Sequence, residues 1–120
     1  MAKAWYKINS LVSPLRRALN KKVKNLKQEI PEGSKILEVG AGPTSCKKDF
    51  SHCSVTSIDL EKSKNVDIVA DVTNLKNFGS NSFDFVFCFN VLEHVFDYEK
   101  SISEMHRVLK KGGKLYVFTP

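Results

Sequence analysis

At 120 residues, with 42% hydrophobic and 27% charged side chains, the chain has the size and composition of one ordinary globular domain, which excludes a disordered or low-complexity protein. It has no apolar run long enough to span a membrane and no apolar core or cleavage site for a signal peptide near its start. The net charge of +6 is concentrated early: Lys3, Lys7, Arg16, Arg17, Lys21, Lys22, Lys24 and Lys27 all precede residue 28. Such a segment is a solvated helix face or a contact for an anionic surface. Cys46, Cys53 and Cys88 are odd in number and lack C-x-x-C spacing, which fits free thiols in a reducing cytoplasm.

The first strong element is an amphipathic helix over residues 14–30. Ser13 before Pro14 is an N-cap followed by proline at the first helical position. Leu15, Leu19, Val23, Leu26 and Ile30 recur every three or four residues and share a face. Pro31 and Gly33 end the helix. Ile8, Leu11 and Val12 suggest a shorter helical turn before it. Residues 1–33 therefore read as a basic helical segment, and residues 34–120 as the main domain.

From Lys35 the pattern alternates. Strands are expected at Lys35–Val39, Val55–Asp59, Asp67–Ala70, Phe83–Phe89 and Lys114–Phe118. The fourth is apolar on nearly both faces, as a central parallel strand covered on both sides must be. Residues 97–111 read as a helix with Ile102, Met105, Val108 and Leu109 inward, stopped by Gly112 and Gly113. Alternating β and α with right-handed crossovers predicts a Rossmann-like, doubly wound, mainly parallel sheet.

Ile36 to Ser45 is a strand running into a glycine loop. Gly40 and Gly42 allow a tight bend and close backbone approach to a ligand. Asp59 closes the next strand 19 positions after Gly40, where a carboxylate accepts the hydroxyls of a ribose. Two ligand classes fit this spacing. A dinucleotide needs N–H donors for its pyrophosphate, but Pro43 removes one, and Ser45 stands at the third glycine position of G-x-G-x-x-G. S-adenosylmethionine has no phosphate, so the residues tilt toward that sulfonium cofactor.

With these features in place, residues 35–120 resemble the class I S-adenosylmethionine-dependent methyltransferases, in particular the small-molecule and lipid group with an E-H-V segment. The blocks that carry the likeness are residues 37–42 (LEVGAG), 55–60 (VTSIDL), 70–75 (ADVTNL) and 82–95 (SFDFVFCFNVLEHV), with 104–113 (EMHRVLKKGG) as the helix end before the fifth strand. The resemblance implies a sheet of order 3-2-1-4-5 and S-adenosyl-L-methionine as cofactor. It places Glu38, Gly40, Ala41 and Gly42 by the methionine end and Asp59 on the ribose. Leu60 would lie on the adenine, and Asp71 and Val72 at the adenine amino edge. Phe89 and Asn90 would stand near the reactive methyl, and the apolar face of the 14–30 helix would pack over the sheet edge or the cofactor mouth. The chain departs from the pattern at Lys111, where proline is common, and in having only twelve residues between Gly42 and Val55, which demands a brief first helix.

Methyl transfer from a sulfonium is a direct displacement, so positioning dominates and a base is needed only for a protonated nucleophile. His94 is the candidate base. Some relatives hold a metal with E-x-x-E-H; here Asn90 replaces the first acid, leaving Asn90, Glu93 and His94 as poor ligands, and no metal is expected. A helix-start carboxylate with a packed histidine is the competing reading of Glu93 and His94, and it stands ahead of both base and metal. His106 reads as surface or packing, and His52 as a loop residue.

Complete members of the family continue past the fifth strand with a helix and an antiparallel strand pair. The last helix and strand pair are thus expected to be absent from a chain ending at Thr119-Pro120, and the fifth strand to offer an open edge for self-association. The expected partner is a small-molecule or lipid acceptor. No aromatic groove or base-flipping signature favours nucleic acid. The alternative to an enzyme is a cofactor-binding module without independent catalysis.

Overall fold

The computed structural model describes residues 14–42, 45–89 and 91–118. Ser13, the turn over Ile8–Val12, Pro43, Asn90 and the last two residues lie outside this set. Helix α1 spans Pro14–Glu29. Leu19, Val23, Leu26 and Ile30 are buried, while Arg17, Lys21 and Lys24 form an exposed ridge opposite them. Each buried aliphatic side chain contributes about 1.5–3 kcal/mol relative to exposure, before ordering entropy is subtracted. Ser34 Oγ donates to Pro31 O at 2.7 Å in the turn into the first strand. His52 Nε2 lies 3.0 Å from Ile30 O, which ties the helix end to the loop before the second strand.

Five strands form one parallel sheet: β1 Lys35–Val39, β2 Ser54–Asp59, β3 Ile68–Val69, β4 Phe83–Phe89 and β5 Leu109–Phe118. Their order is β3-β2-β1-β4-β5, so the connection reverses direction between β1 and β4. Val39 stands beside Ile58 on one side and Cys88 on the other. The ends of β1, β2 and β4 are therefore level.

Both faces of the sheet are covered, which explains why β4 is apolar throughout. Alternate residues point to opposite faces. Leu37, Val39, Val86 and Cys88 join Val72, Leu75, Met105 and Val108 in one core. Ile36 and Phe87 join the α1 face, Cys46 and Phe50 in the other. Helix α1 thus packs over the sheet face at β1 and β4 and not over an edge. The short first helix is a single 3-10 turn at Lys47–Phe50.

Helix α2 spans Tyr98–Val108, capped by Asp97, whose side chain accepts from Lys100 N. It is shorter than the 97–111 read from periodicity. Leu109 is already extended and pairs with Phe83, while the next aligned pair is Phe85 with Lys114. The extra β5 residues bulge, with Gly112 at φ +84° and no room at Gly113 for a Cβ, which would crowd Lys110 O and Asp84 O. The two glycines serve this bulge and do not stop the helix. Ile102, expected inward, is exposed, because Ser101, Met105 and Val108 take the inner face and Ile102 lies about a quarter turn away.

Candidate functional site

The level ends of β1, β2 and β4 bring the predicted loop, acid and post-β4 segment to one place, at the switch point where ligands bind in open α/β sheets. Glu38 stands one residue before the end of β1 and is buried. A buried carboxylate is costly without partners, and this one has three. Oε1 accepts from Ser57 Oγ at 2.7 Å and Ser45 Oγ at 2.6 Å, and Oε2 accepts from Cys46 N at 2.7 Å. Glu38 therefore fastens the returning limb of the glycine loop to β1 and β2.

Between these anchors the backbone turns sharply. Gly40 has φ +77° and Gly42 φ +44°. The Gly40 and Ala41 N–H groups both donate to Ile58 O, at 2.9 and 3.1 Å. A Cβ at Gly40 would collide with Val91 Cγ2, so only glycine lets the loop pass beneath the segment after β4. Asp59 Oδ2 lies 3.4 Å from where a Cβ at Gly42 would stand. The β2 carboxylate thus faces the bare glycine backbone. Its Oδ1 accepts from Leu60 N at 2.6 Å, and the Leu60 side chain is exposed beside it. Asn65 Nδ2 donates to Gly42 O at 3.1 Å and closes the outer side of the loop.

The next predicted pair follows β3. Ala70 N donates to Asp59 O at 2.9 Å, joining the two strand ends. Asp71 is exposed, and its Oδ1 accepts from Thr73 N at 2.9 Å and Thr73 Oγ1 at 2.8 Å. The Thr73 N–H holds the Asp71 carboxyl below the usual aspartate value. Val72 is buried. Phe89 stacks on Phe87, ring centroids 5.3 Å apart, within the α1-side core.

Beyond β4 lies a 3-10 turn, Leu92–His94. Glu93 and His94 are exposed, with Nε2 3.7 Å from Oε1. Among the described residues, no three His, Cys, Asp or Glu side chains come together as a metal-binding group. The three cysteines are free. Burial pushes the Cys88 thiol up to about 12, with the charge of Glu93 adding to the effect. Burial, with the charge of Glu38 behind it, raises Cys46 as well. Neither thiol is a nucleophile at neutral pH.

The structure brings Glu38, Gly40, Gly42 and Asp59 together directly, with Leu60 and Asp71 on the same rim; Asn90 lies outside the described residues. Sequence reasoning missed Ser57, Val91 and Asn65. Ser57 alone left a signal, as a small hydroxyl inside the expected strand Val55–Asp59. The others come from distant segments that meet only in the fold.

The family described as "Methyltransferase domain" matches residues 37–117. The Ubiquinone biosynthesis O-methyltransferase of Xanthomonas oryzae pv. oryzae is 35% identical over 103 residues, covering 72% of this chain and 43% of the relative. The Demethylmenaquinone methyltransferase of Staphylococcus epidermidis is 28% identical over 131 residues, covering 94% and 54%. A solved SAM-dependent methyltransferase from Methanosarcina mazei superposes with a TM-score of 0.65 at 25% identity, covering 78% of this chain and 55% of that one. The YcgJ protein from Bacillus subtilis superposes with a TM-score of 0.72 at 21% identity over 82% of this chain and 50% of its own, a likeness of fold alone. The fold is that of the class I methyltransferases. The chain belongs to the methyltransferase-domain family, whose class I members depend on S-adenosylmethionine. It spans less than half the length of the first curated relatives it matches. Among the described residues no helix is long and apolar enough to cross a membrane.

Proposed function

We propose that the chain carries the cofactor-binding part of an S-adenosylmethionine-dependent methyltransferase acting on a small molecule of the quinone or lipid class. The observation that carries this reading is the Asp59 carboxylate facing the bare backbone of Gly42 at the switch point of the sheet. That cradle fits the group: Asp59 accepts the ribose hydroxyls and Leu60 offers an apolar surface to the adenine. Asp71 and Val72 meet the amino edge of the base. Gly40, Ala41 and Gly42 pass the methionine end, held in shape by Glu38, and Phe89, the last residue of β4, leads the chain toward the reacting end.

When bound, S-adenosylmethionine supplies an electrophilic methyl whose leaving group departs as a neutral thioether. The chain's own residues then have to hold the nucleophile in line, and in-line positioning contributes up to roughly 7–11 kcal/mol. A hydroxyl acceptor must also lose a proton, and His94 beside Glu93 is the candidate to take it. The names of the relatives, ubiquinone biosynthesis and demethylmenaquinone, support a quinone-type acceptor. The exposed Arg17–Lys21–Lys24 ridge of α1 is available to an anionic surface. A cytoplasmic location fits the buried thiols of Cys46 and Cys88, which a reducing compartment preserves.

Titration calorimetry with S-adenosylhomocysteine, S-adenosylmethionine and NAD tests the reading. Binding of the first two and no heat with NAD is expected; NAD binding without the others overturns it. A second reading, cofactor binding without independent catalysis, is favoured by the exposure of Glu93 and His94. Methyl transfer to a quinol by this chain would exclude it.

A further inference from the structure

The connection between β3 and β4 has no helix of its own, yet it carries Asp71 and Val72. Its backbone is held instead by two side chains of α2. Arg107 Nη2 donates to Leu75 O at 2.8 Å, and Nη1 donates to Phe78 O at 3.0 Å and Ser80 Oγ at 3.4 Å. One turn earlier on the helix, Glu104 Oε2 accepts from Leu75 N at 2.7 Å. The same carboxylate accepts from Arg107 Nε at 3.0 Å and Nη2 at 3.3 Å. The backbone donor and acceptor of Leu75 are thus both taken by one ion pair. Arg107 O accepts from Asn81 N at 3.0 Å and pins the far end of the segment.

This clamp reaches the Asp71 turn directly. Asn74 N donates to Asp71 O at 2.9 Å, so the turn closes one residue before Leu75. Val72 and Leu75 are buried in the same core as Met105 and Val108 of α2. On the other side, Ala70 N on Asp59 O fixes Asp71 to the end of β2. The backbone that carries Asp71 is therefore tied to the end of β2 on one flank and to Glu104–Arg107 on the other. A guanidinium fork is rigid and planar, which suits it to hold several carbonyls in one arrangement.

We propose that Glu104 and Arg107 are positioning residues for base recognition: they hold the Asp71–Val72 turn where it reads the amino group of the cofactor's adenine. This rests on the S-adenosylmethionine reading above. A carboxylate placed to accept from that amino group rejects a base that presents an oxygen there, because the acceptor then faces an acceptor. If the clamp did no more than stabilise the fold, its loss would weaken every form of the ligand alike.

The test compares S-adenosylhomocysteine with S-inosylhomocysteine, its hypoxanthine counterpart, by calorimetry on the whole chain. Wild type is expected to favour the adenine form by about tenfold or more. In Arg107→Ala and in Glu104→Gln, that ratio is expected to fall to within about threefold, through loss of affinity for the adenine form alone. Arg107→Lys, which keeps the charge but not the fork, should fall between. Glu104→Gln retains an oxygen for Leu75 N and decides the matter if Arg107→Ala fails to fold. An unchanged ratio in folded variants, or an equal loss for both ligands, overturns the clamp proposal and leaves the cofactor reading intact. Failure of wild type to bind S-adenosylhomocysteine overturns the cofactor reading itself, and with it the proposal.

Discussion

The loops that leave β1 and β4 start side by side and are built on opposite plans. After β1, a buried carboxylate takes three hydrogen bonds, two backbone N–H groups share Ile58 O, and Ala41 and Cys46 are buried. After β4, Glu93, His94, Phe96 and Tyr98 are exposed, Phe96 completely. The turn there is closed by short-range backbone bonds, His94 N to Val91 O and Val95 N to Leu92 O. The first loop is held by buried hydrogen bonds at both of its ends. The second presents aromatic and titratable side chains to whatever docks against them. The two meet where Val91 covers Gly40.

The contrast is broken most severely at Glu38. Glu38→Ala strands the Ser45 and Ser57 hydroxyls and the Cys46 N–H, at about 1–3 kcal/mol for each buried group left unpaired. Against a net stability of about 5–15 kcal/mol, thermal unfolding should show a melting temperature lower by about 10 °C or more; a shift of only a degree or two would mean that the loop is held by something else. Gly40→Ala comes next. It forces a side chain into Val91 at a φ that costs roughly 1–2 kcal/mol by itself. S-adenosylhomocysteine affinity should drop by about a hundredfold, and Val91→Ala in the same chain should restore part of it by removing the collision. A double variant no better than Gly40→Ala would separate the two loops.

Asp59→Ala sharpens the assignment of the first loop. Losing charged hydrogen bonds to a ribose costs about 1.5–3 kcal/mol, or roughly ten- to hundredfold in affinity, with a small change in melting temperature. An unaltered dissociation constant would remove Asp59 from the site. Acid should act more mildly on the supports around it. The Arg107 bond holds Glu104 below the usual glutamate range, and the Lys35 N–H does the same for Asp84, as the Thr73 N–H does for Asp71. Folded values below the unfolded ones stabilise the protein above about pH 4, and that contribution is lost as the pH falls through the folded values. Melting temperatures measured down the pH scale should accordingly decline below about pH 4. The smallest effect is expected in the second loop: His94→Ala should leave cofactor affinity within about twofold, and a larger loss would make His94 part of the cofactor site.

The alternation of apolar strands, the two-sided apolar β4, the glycine pair and the acid closing β2 are short-range patterns. From them the sequence by itself determined the parallel sheet, its order through family resemblance, and the place of Asp59 opposite the glycines. These features were legible because strand period, glycine dihedrals and loop length are set within a few residues. What only the tertiary structure decided is which distant groups satisfy one another. Glu38 became an anchor because register put Ser57 beside it and the loop brought Ser45 and Cys46 back. Helix α2 stopped at Val108 because Leu109 found Phe83, although residues 97–111 keep a helical period. Ile102 turned outward because the better-fitting face of the same helix met the core. Arg107 found the carbonyls of Leu75 and Phe78, some thirty residues upstream, only after a connection without a helix needed donors for its backbone. Burial makes such pairings obligatory, since a polar group removed from water must find a partner wherever the chain supplies one, and local sequence carries no record of which segment that will be.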